Sequence, residues 1–248
     1  MPETIDFPGS TGARLSGVLE VPDGDAKGSI LLAHCFTCSK DLHTMTRLAR
    51  GLVDGGYAVM RFDFTGLGES EGDFTTSTLG HDVRDLAAAA TALIKRGFGP
   101  CGLLGHSLGG AAGLLAAERL KTVRSVVTIG APASPDHVRH LFTDGGKGDA
   151  TTVELTIGGR SFNVARAFLD DLAEHDQAGA IAGLGHPLLV LHAVDDEVVG
   201  IEEGEKIFAG AAQPKGFHPL LDADHLLTDR RAAQRALHLA LDWFDSTL

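Results

Sequence analysis

Gly105-His106-Ser107-Leu108-Gly109, preceded by the apolar run Cys101-Gly102-Leu103-Leu104 and followed by Gly110-Ala111-Ala112-Gly113-Leu114-Leu115-Ala116-Ala117, decides the fold. A short buried strand is predicted to turn sharply into an Ala-rich helix, with a serine at the bend. A G-x-S-x-G elbow needs this setting, because the turn is tight and only small residues fit beside the serine. The amide after the serine opens a helix, where unpaired N–H groups attract an anion.

Outward from the elbow, strand-like and helix-like segments alternate. Ser29-Ile30-Leu31-Leu32-Ala33 reads as a strand buried on both faces. Met45, Leu48 and Leu52 follow at helical spacing, closed by Gly55-Gly56, and Tyr57 to Phe62 forms the next strand. Leu79, Val83, Leu86, Ala90 and Leu93 mark the stripe of a second helix, with Gly97 as its stop. Ser125 to Ile129, Pro187 to His192 and Gly216 to Leu221 are further strands. A helix near Glu202 to Ala211 and a last amphipathic helix, N-capped by Thr228 and ending near Phe244, complete the pattern. The rhythm predicts an α/β class with a mostly parallel, doubly wound sheet. Ile5-Asp6-Phe7 and Arg14 to Leu19, across a Gly-rich turn, read as an antiparallel hairpin at one edge.

The alternation breaks between about 131 and 184. Val153 to Ile157 and Arg160 to Val164 flank Gly158-Gly159, which signals a hairpin, and Phe168, Leu169 and Leu172 follow on a short helix. This insertion is read as a small cap over the carboxyl ends of the strands, where open α/β sheets bind ligands.

The 248 residues fit one domain, 1–248, large enough to bury a full core. A net charge of −12 argues against nucleic acid and against an anionic membrane surface as partner. No apolar run approaches the ~20 residues needed to cross a bilayer. The N-terminus lacks a basic and apolar leader, so the expected location is cytoplasmic. Association as a homodimer is left open.

A serine hydroxyl needs a base to take its proton, and the base needs a carboxylate to hold its tautomer. For an elbow enzyme the order along the chain is serine, acid, histidine, each later member following a later strand. Leu189 to Val194 runs into Asp195-Asp196-Glu197, and Phe217 to Leu221 runs into Asp222-Ala223-Asp224-His225. Of 12 histidines, His225 is therefore the candidate base. Asp196 is the candidate acid, with Asp195 its nearest rival. Catalysis through Ser107 also needs two oxyanion donors. The backbone N–H groups of Leu108 and of Phe36, just past the first long parallel strand, are the candidates. His34 is read as orienting that loop. No cofactor and no metal is called for.

Six segments together resemble the α/β-hydrolase superfamily: His34 to Thr37, Arg61 to Ser70, Gly105 to Gly109, Gly130-Ala131-Pro132, His192 to Val199, and Ala223-Asp224-His225. The stretch His34-Cys35-Phe36-Thr37-Cys38-Ser39-Lys40 is most similar to hydrolase modules that in some bacterial proteins precede an OsmC-like domain. The resemblance implies the α/β-hydrolase fold and a carboxylic-ester hydrolase; the triad reading makes it a serine esterase that works through an acyl-enzyme, and a cap of about fifty residues points to small esters over long lipids. In that reading His34, Phe162 and Phe168 line the substrate pocket. Thioester or amide and peptide cleavage would use the same machinery. A dehalogenase would need aspartate where Ser107 stands.

Three clusters compete for a role. Cys35 and Cys38 form a C-x-x-C inside the proposed oxyanion loop, so thiol redox chemistry is a rival function. The simpler expectation is that Cys35 is a small residue at a Gly-like position and Cys38 packs under the next helix. Asp136, His137 and His140 have metal-ligand spacing but no further ligand nearby, and are read as a solvated face. Gly66-Leu67-Gly68 lacks dinucleotide-loop spacing and is read as a tight turn.

Overall fold

The computed structural model describes residues 2–135, 137, 152–157 and 160–248, with the backbone alone at 155–157 and 160–162. In chain order the elements are β1 (Glu3–Pro8), β2 (Arg14–Glu20), β3 (Ser29–Ala33), α1 (His43–Asp54), β4 (Ala58–Phe62), α2 (Leu79–Lys95), β5 (Cys101–His106), α3 (Leu108–Arg119) and β6 (Val123–Ile129). They continue as β7 (Thr152–Ile157), β8 (Arg160–Ala165), α4 (Arg166–Glu174), α5 (Gln177–Ala182), β9 (Leu188–Ala193), α6 (Ile201–Gly210), β10 (Lys215–Leu220) and α7 (Arg230–Thr247).

Eight strands form one sheet in the order β1-β2-β4-β3-β5-β6-β9-β10. From β4 to β10 all pairs are parallel, while β1–β2 and β2–β4 are antiparallel. The sequence explains this division. β3, β5 and β9 are buried at every position and read as unbroken apolar runs, as strands covered on both faces must. β1 alternates, with Ile5 and Phe7 inward, as an edge strand with one wet face does.

Each face of the sheet has its own core. Met45, Leu48 and Leu52 of α1 and Ala236, Ala240 and Phe244 of α7 cover one face. Leu86 and Leu93 of α2, together with α3 and Ile207 of α6, cover the other. Each buried Leu or Phe contributes roughly 1.5–3 kcal/mol. α3 is buried along its whole length up to Ala117, which its Gly and Ala residues permit by letting it lie close to the sheet.

β7 and β8 pair antiparallel as a separate two-stranded sheet in the insertion, joined to α4. The Gly158-Gly159 turn between them lies outside the described residues. α5 was not expected from sequence; Asp176 caps it by accepting from the Gly179 N–H. One cap differs from expectation. Asp229, not Thr228, starts α7, accepting from the Arg231 and Ala232 amides. Thr228 is held instead by Asp224, which accepts from both its amide and its hydroxyl. Among the described residues no helix is long and apolar enough to cross a membrane.

Candidate active site

Ser107 sits between β5 and α3 with φ 55° and ψ −127°, a conformation an L residue holds only when its surroundings enforce it. The enforcement is steric. A Cβ on Gly105 would lie 2.6 Å from the Gly109 carbonyl oxygen, and one on Gly109 would lie 2.3 Å from that of His34. The Ser107 amide donates to the Ile129 carbonyl of the neighbouring strand, which anchors the bend.

Two later loops deliver their side chains to this serine. His225 Nε2 lies 2.9 Å from Ser107 Oγ. His225 Nδ1 lies 2.7 Å from Asp196 Oδ2, so Nδ1–H donates to the carboxylate and leaves Nε2 as acceptor. The Asp196 side chain is fully buried, and its other oxygen accepts from the Val198 and Val199 amides. Burial alone would raise its pKa. The His225 hydrogen bond and charge, with the two amides, overcome that and hold it below the usual carboxylate range. Asp195 is exposed and takes no part in this chain of contacts.

Three residues near the site were given no role of their own in the sequence reading. His106, inside β5, donates from Nε2 to the His225 carbonyl at 2.7 Å and fixes that loop. Burial, then the neighbouring His225, push its pKa down to about 3, so it stays neutral and moves no proton at ordinary pH. His192 donates from Nε2 to the Val199 carbonyl, bracing the loop that carries Asp196; burial lowers its pKa too. Gly130, at φ 57°, lets the backbone pass beside the imidazole and the carboxylate, since a Cβ there would lie 3.3 Å from each. The only sequence signal for the two histidines was their place within otherwise apolar strands.

The loop after β3 faces the elbow. Neither the Phe36 nor the Leu108 N–H finds a backbone acceptor among the described residues, and both residues line one narrow recess with His34, Phe64, Leu67, Phe74, Ser77, Asp82 and Gly109. His34 is buried. Its Nδ1–H donates to the Cys35 carbonyl, and Nε2 accepts from the Phe64 amide at 3.4 Å. Burial lowers its pKa, so it holds the loop as a neutral ring. Phe168 is 1% exposed and stacks on Phe36 with centroids 4.8 Å apart, a buttress behind the recess. The Phe162 side chain lies outside the described residues, as do Asp136 and His140. His137 faces Glu203, Nδ1 to Oε1 3.7 Å.

The cysteine expectation needs correcting. Cys38 does not pack as a free thiol under α1; it is joined to Cys35 in a disulfide. The loop turns back at Thr37, bringing the Cys38 amide to the Cys35 carbonyl at 3.2 Å and the two Cα atoms to 5.5 Å, within disulfide range. Cys101 remains a free, buried thiol whose pKa burial pushes up to about 12.

Residues 30–238 match the Alpha/beta hydrolase family. The chain belongs to that family. It is an enzyme of the α/β-hydrolase fold, with the hairpin β1–β2 at one edge and the β7–β8 insertion as a small cap. The esterase domain of a Rhodothermus marinus protein superposes with a TM-score of 0.84 at 37% identity, over 100% of this chain and 99% of that one. Est1E from Butyrivibrio proteoclasticus, solved with ferulic acid bound, superposes with a TM-score of 0.83 at 19% identity, covering 96% and 99%. Human Protein ABHD12B is 28% identical over 168 residues, which is 65% of this hydrolase and 44% of the human protein. The chain thus spans less than half the length of that curated relative.

Proposed function

We propose that the protein is a serine hydrolase of small, uncharged carboxylic esters. The observation that carries this reading is the continuous line from Ser107 Oγ through His225 to Asp196, at 2.9 and 2.7 Å. Ser107 attacks the ester carbonyl carbon while His225 Nε2 takes its proton. The carbonyl oxygen becomes an oxyanion held by the Phe36 and Leu108 amides. His225 then gives the proton to the departing alkoxide, leaving an acyl-Ser107. Water repeats the sequence on the acyl-enzyme and releases the acid. Asp196 keeps the imidazole in the required tautomer and stabilises its cation.

The substrate class rests on two supports. The surface beside the two amides is formed chiefly by Phe36, Phe64, Leu67, Phe74 and Leu108, which favours an uncharged substrate, and the recess between them, about 10 Å³, leaves room there for no more than a water-sized group. The relative at 37% identity is described as an esterase domain. Placement of this chain near the modules that precede OsmC-like domains rests on the His34 to Lys40 stretch. Thioester and amide cleavage need the same groups and differ only in the leaving atom. Thiol redox chemistry as the main activity fits less well, because Cys35 is 4% exposed and the triad would then be idle.

Ser107→Ala tests the reading. On p-nitrophenyl acetate and butyrate it should lose about four or more orders of magnitude in kcat with the fold intact. A phosphonate ester should label wild-type enzyme once, at Ser107. Undiminished turnover in the variant would end the proposal.

A further inference from the structure

The backbone around Phe36 is held unevenly. On one side His34 is pinned through both ring nitrogens. On the other, Lys40 is pinned to Asp63 through its amide at 2.6 Å and its ammonium at 2.8 Å. Between these anchors the turn is closed by one backbone bond, from the Cys38 amide to the Cys35 carbonyl, and the next, from the Leu42 amide to the Ser39 carbonyl, lies beyond it. That turn carries Thr37 at φ 63°, the left-handed region that β-branched residues disfavour. The Phe36 ring stacks on Phe168 and lies tilted against Phe74, which fixes the side chain, while the peptide that carries the Phe36 N–H is held only through its carbonyl end, where Cys35 accepts from His34 and from the Cys38 amide. What closes the turn covalently is the Cys35–Cys38 bond, which spans Phe36.

We infer that the Cys35–Cys38 disulfide is a positioning device for the oxyanion amide of Phe36, so that the hydrolase works at full rate only in its oxidised form. The inference rests on the esterase reading above. Cys35 and Cys38 touch no reacting atom; they act through the peptide between Cys35 and Phe36. A dithiol reductant undoes the device. One of its thiolates attacks the sulfur of Cys38, the more exposed of the pair, and Cys35 leaves as a thiolate that takes up a proton. The second thiol of the reagent then displaces the Cys38 thiol and closes a cyclic disulfide. Two electrons and two protons have passed to the protein. The turn, freed of its link, lets Thr37 leave the left-handed region, and the Phe36 N–H no longer points steadily at the developing charge.

Complete loss of one oxyanion donor costs about 100- to 1,000-fold in kcat. A donor made mobile instead of removed should cost about 10-fold. The experiment compares oxidised enzyme, enzyme reduced with dithiothreitol, and Cys35→Ser/Cys38→Ser on p-nitrophenyl butyrate, with thiols counted under denaturing conditions. Reduction should raise the count by two above Cys101 and lower kcat about 10-fold. KM should stay within about twofold, since a donor to the oxyanion acts mainly in the transition state. Affinity for an alkyl boronic acid, which forms a tetrahedral anion on Ser107, should fall by the same factor. Reoxidation with oxidised glutathione should restore both. The double variant should be slow and indifferent to reductant.

Full kcat in the reduced enzyme, with two new thiols counted, overturns the inference. So does a fall in kcat accompanied by collapse of the near-ultraviolet dichroism, because the bond then serves the whole fold and not one amide. Failure of the esterase reading shows separately, as undiminished turnover by Ser107→Ala.

Discussion

The elbow at Ser107 and the loop that faces it are both held in backbone conformations that side chains resist, but by opposite means. At the elbow, Ser107 at φ 55° stands in a turn packed so closely that a Cβ on Gly105 or Gly109 would meet a backbone carbonyl oxygen at 2.6 or 2.3 Å. In the facing loop, Thr37 keeps φ 63° under cross-links: a disulfide, two imidazole contacts and a buried ammonium–carboxylate pair. Steric constraint depends on the residues beside the serine and on close packing. Cross-linking depends on partners far along the chain, and on chemistry that solution conditions can change. The elbow is therefore expected to tolerate changes of solution and no change of residue size; the loop should show the reverse.

Gly109→Ala is the harshest test, because it strikes where the two regions touch. A methyl at that position would enter to 2.3 Å of the His34 carbonyl oxygen and 2.7 Å of that of Ala33. Both are backbone atoms that cannot rotate away, so elbow and loop must part. The expected outcome is loss of about 100-fold or more in kcat/KM, from displacement of the proposed oxyanion donors, with about 2–3 kcal/mol of stability lost to overpacking. Steady-state kinetics and urea unfolding check both. Near-wild-type activity would mean that the approach at the elbow is looser than these distances imply.

The same contrast decides what the sequence revealed. Gly105, Gly109 and the apolar run before them are the constraint itself, so the elbow could be read from adjacent residues. Asp196 and His225 were legible because each follows a strand that feeds the same sheet edge. The loop's fastenings were not. Lys40 has its partner at Asp63, 23 residues away, and nothing local marks either residue as buried. Cys35 and Cys38 were visible as a pair, but whether two nearby thiols are joined depends on the turn between them, and Thr37 gave no sign of a left-handed bend. His106 and His192 were hidden for a related reason. Each stands in an apolar strand where a second-line role is set by what the neighbouring loops do.

Lys40→Met breaks the loop at a tie to the chain beyond β4. The side chain of Lys40 is 2% exposed and that of Asp63 is fully buried. Burial alone would lower the ammonium pKa; hydrogen bonds to Asp63 and Glu69 outweigh it, and the group stays charged. Methionine fills similar volume but strands the Asp63 carboxylate. An uncompensated buried charge costs about 3 kcal/mol or more, and kcat should fall about 10-fold as the loop loosens. Lys40→Met with Asp63→Asn should recover at least half of the lost stability in urea unfolding. Equal losses in single and double variants would show that the pair contributes by packing alone.

Asp82 gives the smallest and most selective test, because it lies under the recess where elbow and loop meet. It is 9% exposed, its carboxyl accepts no hydrogen bond among the described residues, and it stands on α2 close to two other acids. Burial first, then the negative charges of Asp85 and Asp171, raise its pKa well above the usual carboxylate range. The folded state therefore binds this proton more tightly than the unfolded chain does. Its contribution to stability is fully present below the unfolded pKa of about 3.9 and is lost as pH rises through the folded value. Asp82→Asn keeps the shape and removes the titration. It should change little at pH 4 and raise stability at pH 8 by about 1 kcal/mol, the scale of an unsatisfied buried polar group. For a chain of this size that is a rise in Tm of about 2–4 °C. Thermal unfolding of both proteins at the two pH values decides it: a gain at pH 8 that disappears at pH 4 places the cost on the ionised carboxyl, and equal Tm values at both would mean that Asp82 is not where the recess stores its charge.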